Sequence, residues 1–345
     1  MNRLTKPLTA ALVAVFLLSV VAVGVTRPAQ PALAAPTGPS LDGLSNQALI
    51  GAFDDSNSSN PDRAVHIAQR LWQRRKDIPR RDLLQAITDE KKPQVTRELM
   101  VDLLAGSSEE AKITDDAREL LCDSRLGPAL KARIVASHDF GPEDSSLLCS
   151  LASGSEDMVG FHALKKLGSA DPMAARRLAL AALARADECS DAKLSASYKV
   201  LVRSRTFKSD WAARSTLVRH LSSVLADPKT SPSLQDSAAF ALADMRSLDA
   251  LRILLESKKA DRVLRVGAVD QNAMTIETAL EQDPGEATIE LAVTAMEIYP
   301  VNEIASPLLA ARARVKSPEL RQRLDAVLVC IASEGVPLNA KWTED

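Results

Sequence analysis

Residues Asp236 to Ser257 read DSAAFALADMRSLDALRILLES. A helix rich in small residues ends at the polar turn Met245-Arg246-Ser247 and a leucine-rich helix begins at once, so the stretch predicts a helical hairpin. With Ala241 as anchor, the pattern recurs at Ala68, Met100, Ala132, Ala163, Ala196, Ala268, Ala295 and Ala326. The steps along the series are 32, 32, 31, 33, 45, 27, 27 and 31 residues. Four residues beyond the anchors stand Trp72, Leu104, Ala136, Leu167, Val200, Met245, Asn272, Tyr299 and Cys330, so each pair faces one way on a helix and only Asn272 is polar. A step near thirty residues is the length of one helix pair, which cannot cover its own apolar face and must stack on neighbours. The expected fold is all-α, an α-solenoid of stacked antiparallel helix pairs.

Working outward from this hairpin, the array is expected over residues 61–333 as about eight or nine helical units. Asn60-Pro61-Asp62 opens it with a cap residue followed by Pro at the first helical turn. Ser169-Ala170-Asp171-Pro172 repeats that signal, and Gly106-Ser107-Ser108 reads as a helix end and turn. The long step from Ala196 to Ala241 holds a longer helix, Asp210 to Ala226, and the loop DPKTSP, the natural place for a bend or an extra binding loop. No stretch alternates with period two, which predicts almost no strand. Residues 35–60 are rich in Pro, Ser and Asn, a tether with one short helix near Leu44 to Phe53, and residues 334–345 are a polar tail carrying Trp342.

Residues 1–34 read as an export leader rather than as part of the fold. Arg3 and Lys6 precede an uncharged run from Leu8 to Val25, and Ala32-Leu33-Ala34 follows as a small-x-small cleavage site. The run is long for a signal core, so an uncleaved anchor in the inner membrane, facing outward, is the competing reading. Either way the remainder is expected outside the cytoplasm, periplasmic or secreted. Removing the leader takes three of the 43 basic residues and none of the 45 acidic ones, leaving the chain more acidic than its whole net charge of −2. That balance carries no electrostatic footprint for nucleic acid, and only 3% aromatic residues leave few rings for stacking on bases or sugars.

The units resemble the HEAT-like (phycobilisome-lyase-type) helical repeats of bacteria, whose consensus joins an alanine-rich helix, a Gly-Asp-type turn and a leucine-rich helix. DSAAFALADMRSLDALRILLES from Asp236 matches best, followed by FHALKKLGSADPMAARRLALAAL from Phe161, and the resemblance covers about residues 61 to 333. It departs from the family in often lacking the Val-Arg pair and the Gly of the turn, as at Met245-Arg246-Ser247. The resemblance implies an architecture and, by analogy, a binding scaffold.

Catalytic and metal chemistry is not expected. His66, His138, His162 and His220 are spread over four units with no ligand spacing, and no phosphate-loop, nucleophile-elbow, Cys-x-x-Cys or His-Glu-x-x-His pattern occurs. His138-Asp139 with Glu143-Asp144 is the one local cluster of ligand types, and helix capping explains its acids. No cofactor is implied. Cys122 and Cys149 both end the tripeptide Leu-Leu-Cys at equivalent places in adjacent units, which makes them the candidate disulfide in an oxidising compartment, with Cys189 competing for Cys149. Cys330 is expected in the core. Arg63, Arg70, Arg74, Arg75, Arg80 and Arg81 are a candidate patch for anionic lipid or an acidic partner, against the reading of a solvated helix face. Together these features predict an exported, non-enzymatic scaffold that binds an unidentified protein, with Trp72, Trp211 and Trp342 as aromatic contact candidates. The membrane would be touched only through an uncleaved leader or weakly through the arginines. The alternative is an enzyme or ligand carrier with its site in the solenoid groove.

Overall fold

The structure, a computed structural model, describes residues 41, 43–107, 112–204, 210–257, 259–282 and 284–333. The leader (1–34) and the tail with Trp342 lie outside the described residues. Among those described there are seventeen α-helices and no strand; one isolated bridge pairs Lys112 with Asp139. Two compact units divide between Lys166 and Leu167 and are taken in turn.

The first unit holds α1 (Asn46–Ser59), α2 (Pro61–Gln73), α3 (Arg80–Thr88), α4 (Gln94–Ser107), α5 (Asp115–Cys122), α6 (Pro128–Ser137) and α7 (Ser145–Ser153), and it reaches into α8 (Asp157–Ala170). Asn60 caps α2 by accepting from the Arg63 amide at 3.1 Å, with Pro61 at the first helical position as the sequence predicts. Helices α2, α4 and α6 pack side by side in one row, and α1, α3 and α5 each pack on the helix that follows them. The short helix expected in the tether is longer than its apolar stretch suggested. It buries Leu49, Ile50 and Phe53 and is tied to α4 through Asp54, which accepts from Lys92 at 2.9 Å and Thr96 at 2.5 Å.

Helix α4 ends at Ser107, within the stretch Gly106-Ser107-Ser108 that the sequence reads as a helix end, and Gly106 itself has a packing role. A Cβ at position 106 would stand 2.7 Å from the Trp72 ring, so the glycine is where that indole packs. Arg75 closes the arrangement by stacking over the indole, 4.8 Å from its centroid, and donating to the Gly106 carbonyl at 2.8 Å.

The second unit holds the rest of α8, then α9 (Pro172–Ala184), α10 (Asp191–Arg203), α11 (Trp211–Ala226), α12 (Pro232–Asp244), α13 (Leu248–Glu256), α14 (Arg262–Gln282), α15 (Glu286–Ile298), α16 (Asn302–Ala311) and α17 (Pro318–Ser333). Here the stacking is fully expressed. Helices α10, α12, α14 and α16 form one row, α11, α13, α15 and α17 form the other, and each helix from α11 to α16 also packs on the next in sequence. This is the two-row arrangement of an α-solenoid, in which every helix meets only near neighbours.

The hairpin that anchors the sequence reading is α12 and α13. Ser247 caps α13 by accepting from the Ala250 amide, and the turn is made by Arg246 at φ +47°. That left-handed conformation costs a residue with a Cβ about 1–2 kcal/mol. Arg246→Gly is therefore expected to raise stability by about 0.5 kcal/mol, after the extra freedom that glycine gives the unfolded chain. A thermal melt reads this, and a lowered midpoint would show that the arginine side chain outweighs the strain.

Most anchors are buried as expected: Met100, Ala132, Ala163, Ala196, Ala241, Ala268 and Ala295. Two are not. Ala68 is half-buried, since the core face of α2 is Ala64, Ile67 and Leu71. Ala326 and Cys330 are exposed, since α17 turns Leu324, Val327, Leu328 and Ile331 inward, so the expectation of a core Cys330 is corrected. The regular period also slips. Helix α14 is 21 residues long, and the step from Ala268 lands on α15, its partner in the opposite row, so the anchors do not mark nine equivalent units.

Bonds between neighbouring modules recur at one spacing. Arg75 to Gly106, Arg133 to Asp102, Arg214 to Met245 and the Ser317 amide to Glu286 each span 31 residues. One repeat length separates the partners, so each such bond clasps a helix to its counterpart or to the adjoining turn one module along.

Candidate functional site

The cysteines form no disulfide in this structure, so the Cys122–Cys149 and Cys149–Cys189 pairings are not seen. Cys122 is exposed at the last position of α5, while Cys149 is half-buried in the middle of α7 and Cys189 directs its thiol to the Ala182 carbonyl at 3.6 Å.

The arginine patch is largely engaged in holding the first unit together. Arg74 donates to the Leu44 carbonyl at 2.7 Å, Arg75 to Gly106 and Trp72, and Arg80 pairs with Asp116. Arg70 donates to Gln73, and the exposed Arg81 and half-buried Arg63 remain on the surface. The structure thus commits Arg74, Arg75 and Arg80 to carbonyl contacts and an ion pair, and Arg70 to the Gln73 side chain. The same holds at the other end, where Arg312 pairs with Asp325 and Arg323 with Glu297.

His138 is 1% exposed, the most buried of the four histidines. Its Nδ1 lies 2.9 Å from the Ile134 carbonyl, which can only accept, so Nδ1 carries the proton and Nε2 is a bare acceptor. Nε2 has no hydrogen-bond partner among the described residues. Asp144 does not join it, because that carboxylate accepts from Arg118 at 2.9 Å and from the Gly141 amide at 3.0 Å. No group of three metal-ligating side chains forms among the described residues.

Burial, aided by nearby Lys166 and Arg80, depresses the His138 pKa below its ordinary value, against smaller upward pulls from the Ile134 carbonyl and Asp139. The sign follows from linkage. Below pH about 6.5 the unfolded chain takes up a proton that folded His138 refuses, so stability present at neutral pH is lost as pH falls through the folded pKa. His162 and His220 are depressed in the same sense, also by burial. His138→Asn keeps a donor for the Ile134 carbonyl, and it is expected to lose less stability than the parent between pH 7 and pH 5. Urea midpoints at the two pH values check this; equal losses would show that His138 is not a contributor.

A different surface emerges in the second unit. Trp211 is 79% exposed at the start of α11, Phe240 58% on α12 and Met274 76% on α14. Of the expected aromatic contacts, Trp72 is committed to Gly106, whereas Trp211 is free to meet a partner. Phe240 lies on the exposed stripe Ser233, Asp236, Phe240, Asp244, and Met274 on the stripe Asp270, Gln271, Met274, Thr278. Each of these helices has row neighbours on two sides and the opposite row behind it, so both stripes occupy the front of one row. Sequence reasoning centred on the tryptophans and missed Phe240 and Met274, although one signal was available: no Lys, Arg or His occurs from Val266 to Ala311.

These features define the class of protein: an all-α chain of stacked helix pairs. Compared with known protein families, curated proteins and solved structures, the chain finds no match. No helix among the described residues is long and apolar enough to cross a membrane.

Proposed function

We propose that the chain is an exported, non-enzymatic scaffold of the cell envelope that binds protein through the front of its helix rows. The observation that carries this reading is the exposure of Phe240 and Met274, large apolar side chains set on rigid helices of a stacked array. Isolated exposed apolar residues are common, but a pair on adjacent helices of one row offers a partner two fixed anchors with little ordering cost. The resemblance to HEAT-like repeat proteins supports the same reading by analogy, and the leader-like residues 1–34 support export. Cleavage there predicts a mature chain beginning at Ala35, which intact mass measures directly.

Binding is tested with a photoreactive amino acid placed at position 240 in the producing cell, with position 229, another exposed site, as control. A discrete adduct from 240 and not from 229 is the expected result. Absence of any adduct from 240, or the same ladder from both positions, would count against the scaffold reading.

A further inference from the structure

We infer that the front of α12 and α14 receives a basic, amphipathic segment of a partner protein, its apolar side on Phe240 and Met274 and its cations on the surrounding acids. This rests on the scaffold reading and names the chemistry of its partner. Two apolar anchors alone would not choose an occupant. The choice comes from charge, because the stripe of α12 carries Asp236 and Asp244, that of α14 carries Asp270, and neither contributes a cation.

The row sets these groups in an ordered pattern. Asn272, buried between the two helices, directs its amide at the Ala243 carbonyl at 3.5 Å, so α14 runs beside α12 with residue 272 level with 243. That register places Phe240 level with Asp270, and Asp244 level with Met274, to within about one residue (roughly 1.5 Å along the axis). Helices in contact lie about 8–10 Å apart, so apolar and acidic groups alternate across an area suited to two or three turns of a helix. Methionine adapts to varied apolar partners, and acids flanking it select against an acidic segment. None of the three acids is held in an ion pair among the described residues, unlike Glu290 and Glu297, which meet Arg323 on α17. Exposed cations border the stripes rather than lying within them: Arg246 is in the turn two residues past Asp244, and Lys199 and Arg203 stand on α10, which packs beside α12.

The experiment uses the purified chain and two labelled model helices, an amphipathic Leu/Lys peptide and its Leu/Glu counterpart of equal length. The Leu/Lys peptide is expected to bind and the Leu/Glu peptide not to. Phe240→Ser with Met274→Ser should weaken binding at least about tenfold, the loss typical of a central apolar anchor. Asp236→Asn with Asp244→Asn and Asp270→Asn should weaken it several-fold at low salt and flatten its salt dependence. All these side chains are exposed, so each variant should melt within about 2 °C of the parent, as surface changes do. No binding of the Leu/Lys peptide, or binding untouched by both sets of substitutions, overturns the inference. If the adduct from position 240 persists in that case, the scaffold reading stands and only the basic partner is wrong. If the adduct is missing as well, both fall.

Discussion

Replacing Arg133 by alanine is expected to destabilise the first unit by about 3–5 kcal/mol, the usual result of stranding one member of a buried ion pair. Asp102 on α4 is only 8% exposed, and Arg133 on α6 grips it through both carboxylate oxygens, with Nε to Oδ1 at 2.7 Å. Burial raises the Asp102 pKa above the ordinary aspartate value even though Arg133 pulls it down, so the carboxylate is costly already with its partner present. Without the arginine the folded pKa climbs further. A raised folded pKa means that the fold holds a proton the unfolded chain has released, so the penalty grows as pH rises from about 4 toward the folded pKa. Urea unfolding at pH 7 and pH 5 should show the larger difference from the parent at pH 7. The double change Asp102→Leu with Arg133→Met should recover most of the loss, because an apolar pair of similar volume carries no desolvation cost. A single variant as stable as the parent would mean that water reaches the carboxylate.

Tyr198→Ala should cost a comparable 3–5 kcal/mol in the second unit, by emptying the volume of a buried aromatic ring. Tyr198 on α10 is 0% exposed, and its hydroxyl meets Nε2 of His220 on α11 at 2.9 Å. Burial pushes its phenol well above the ordinary range, so it stays protonated at any working pH. Tyr198→Phe keeps the ring and removes one hydrogen bond, for which about 1 kcal/mol is expected. Denaturant midpoints separate the two, and hydrogen exchange should show the alanine variant opening first around α10 to α12, where the lost ring sat. Equal losses in both variants would move the stabilisation from the ring to the hydroxyl.

The fold was legible where local chemistry decides the backbone. Asn60 and Asp171 each cap the helix the sequence assigns to them, and the hairpin of α12 and α13 turns at Met245-Arg246-Ser247 where the reading put it. Alanine served less well as a marker of the core. In a chain this rich in alanine it sits on every side of a helix, so Ala68 and Ala326 matched the period without facing inward. The slip after α14 has a similar origin: the anchor series passes from α14 to α15, in the opposite row, without breaking the arithmetic of the steps. A basic run in sequence does not reveal which carbonyls and acids lie opposite it, so the contacts of Arg74, Arg75 and Arg80 came only with the structure. Phe240 and Met274 were hidden because exposure depends on which helix faces are covered, and that requires the rows.

The 31-residue clasps have a consequence for how such a chain acquires its structure. Tertiary partners sit close by in the order of synthesis, the longest side-chain bonds described here reaching only 42 residues, as from Thr96 to Asp54. Loop closure over such spans costs little entropy, and topologies of this kind assemble quickly. The leading end can therefore begin to consolidate while later residues are still being made, each newly finished module finding its mate already in place.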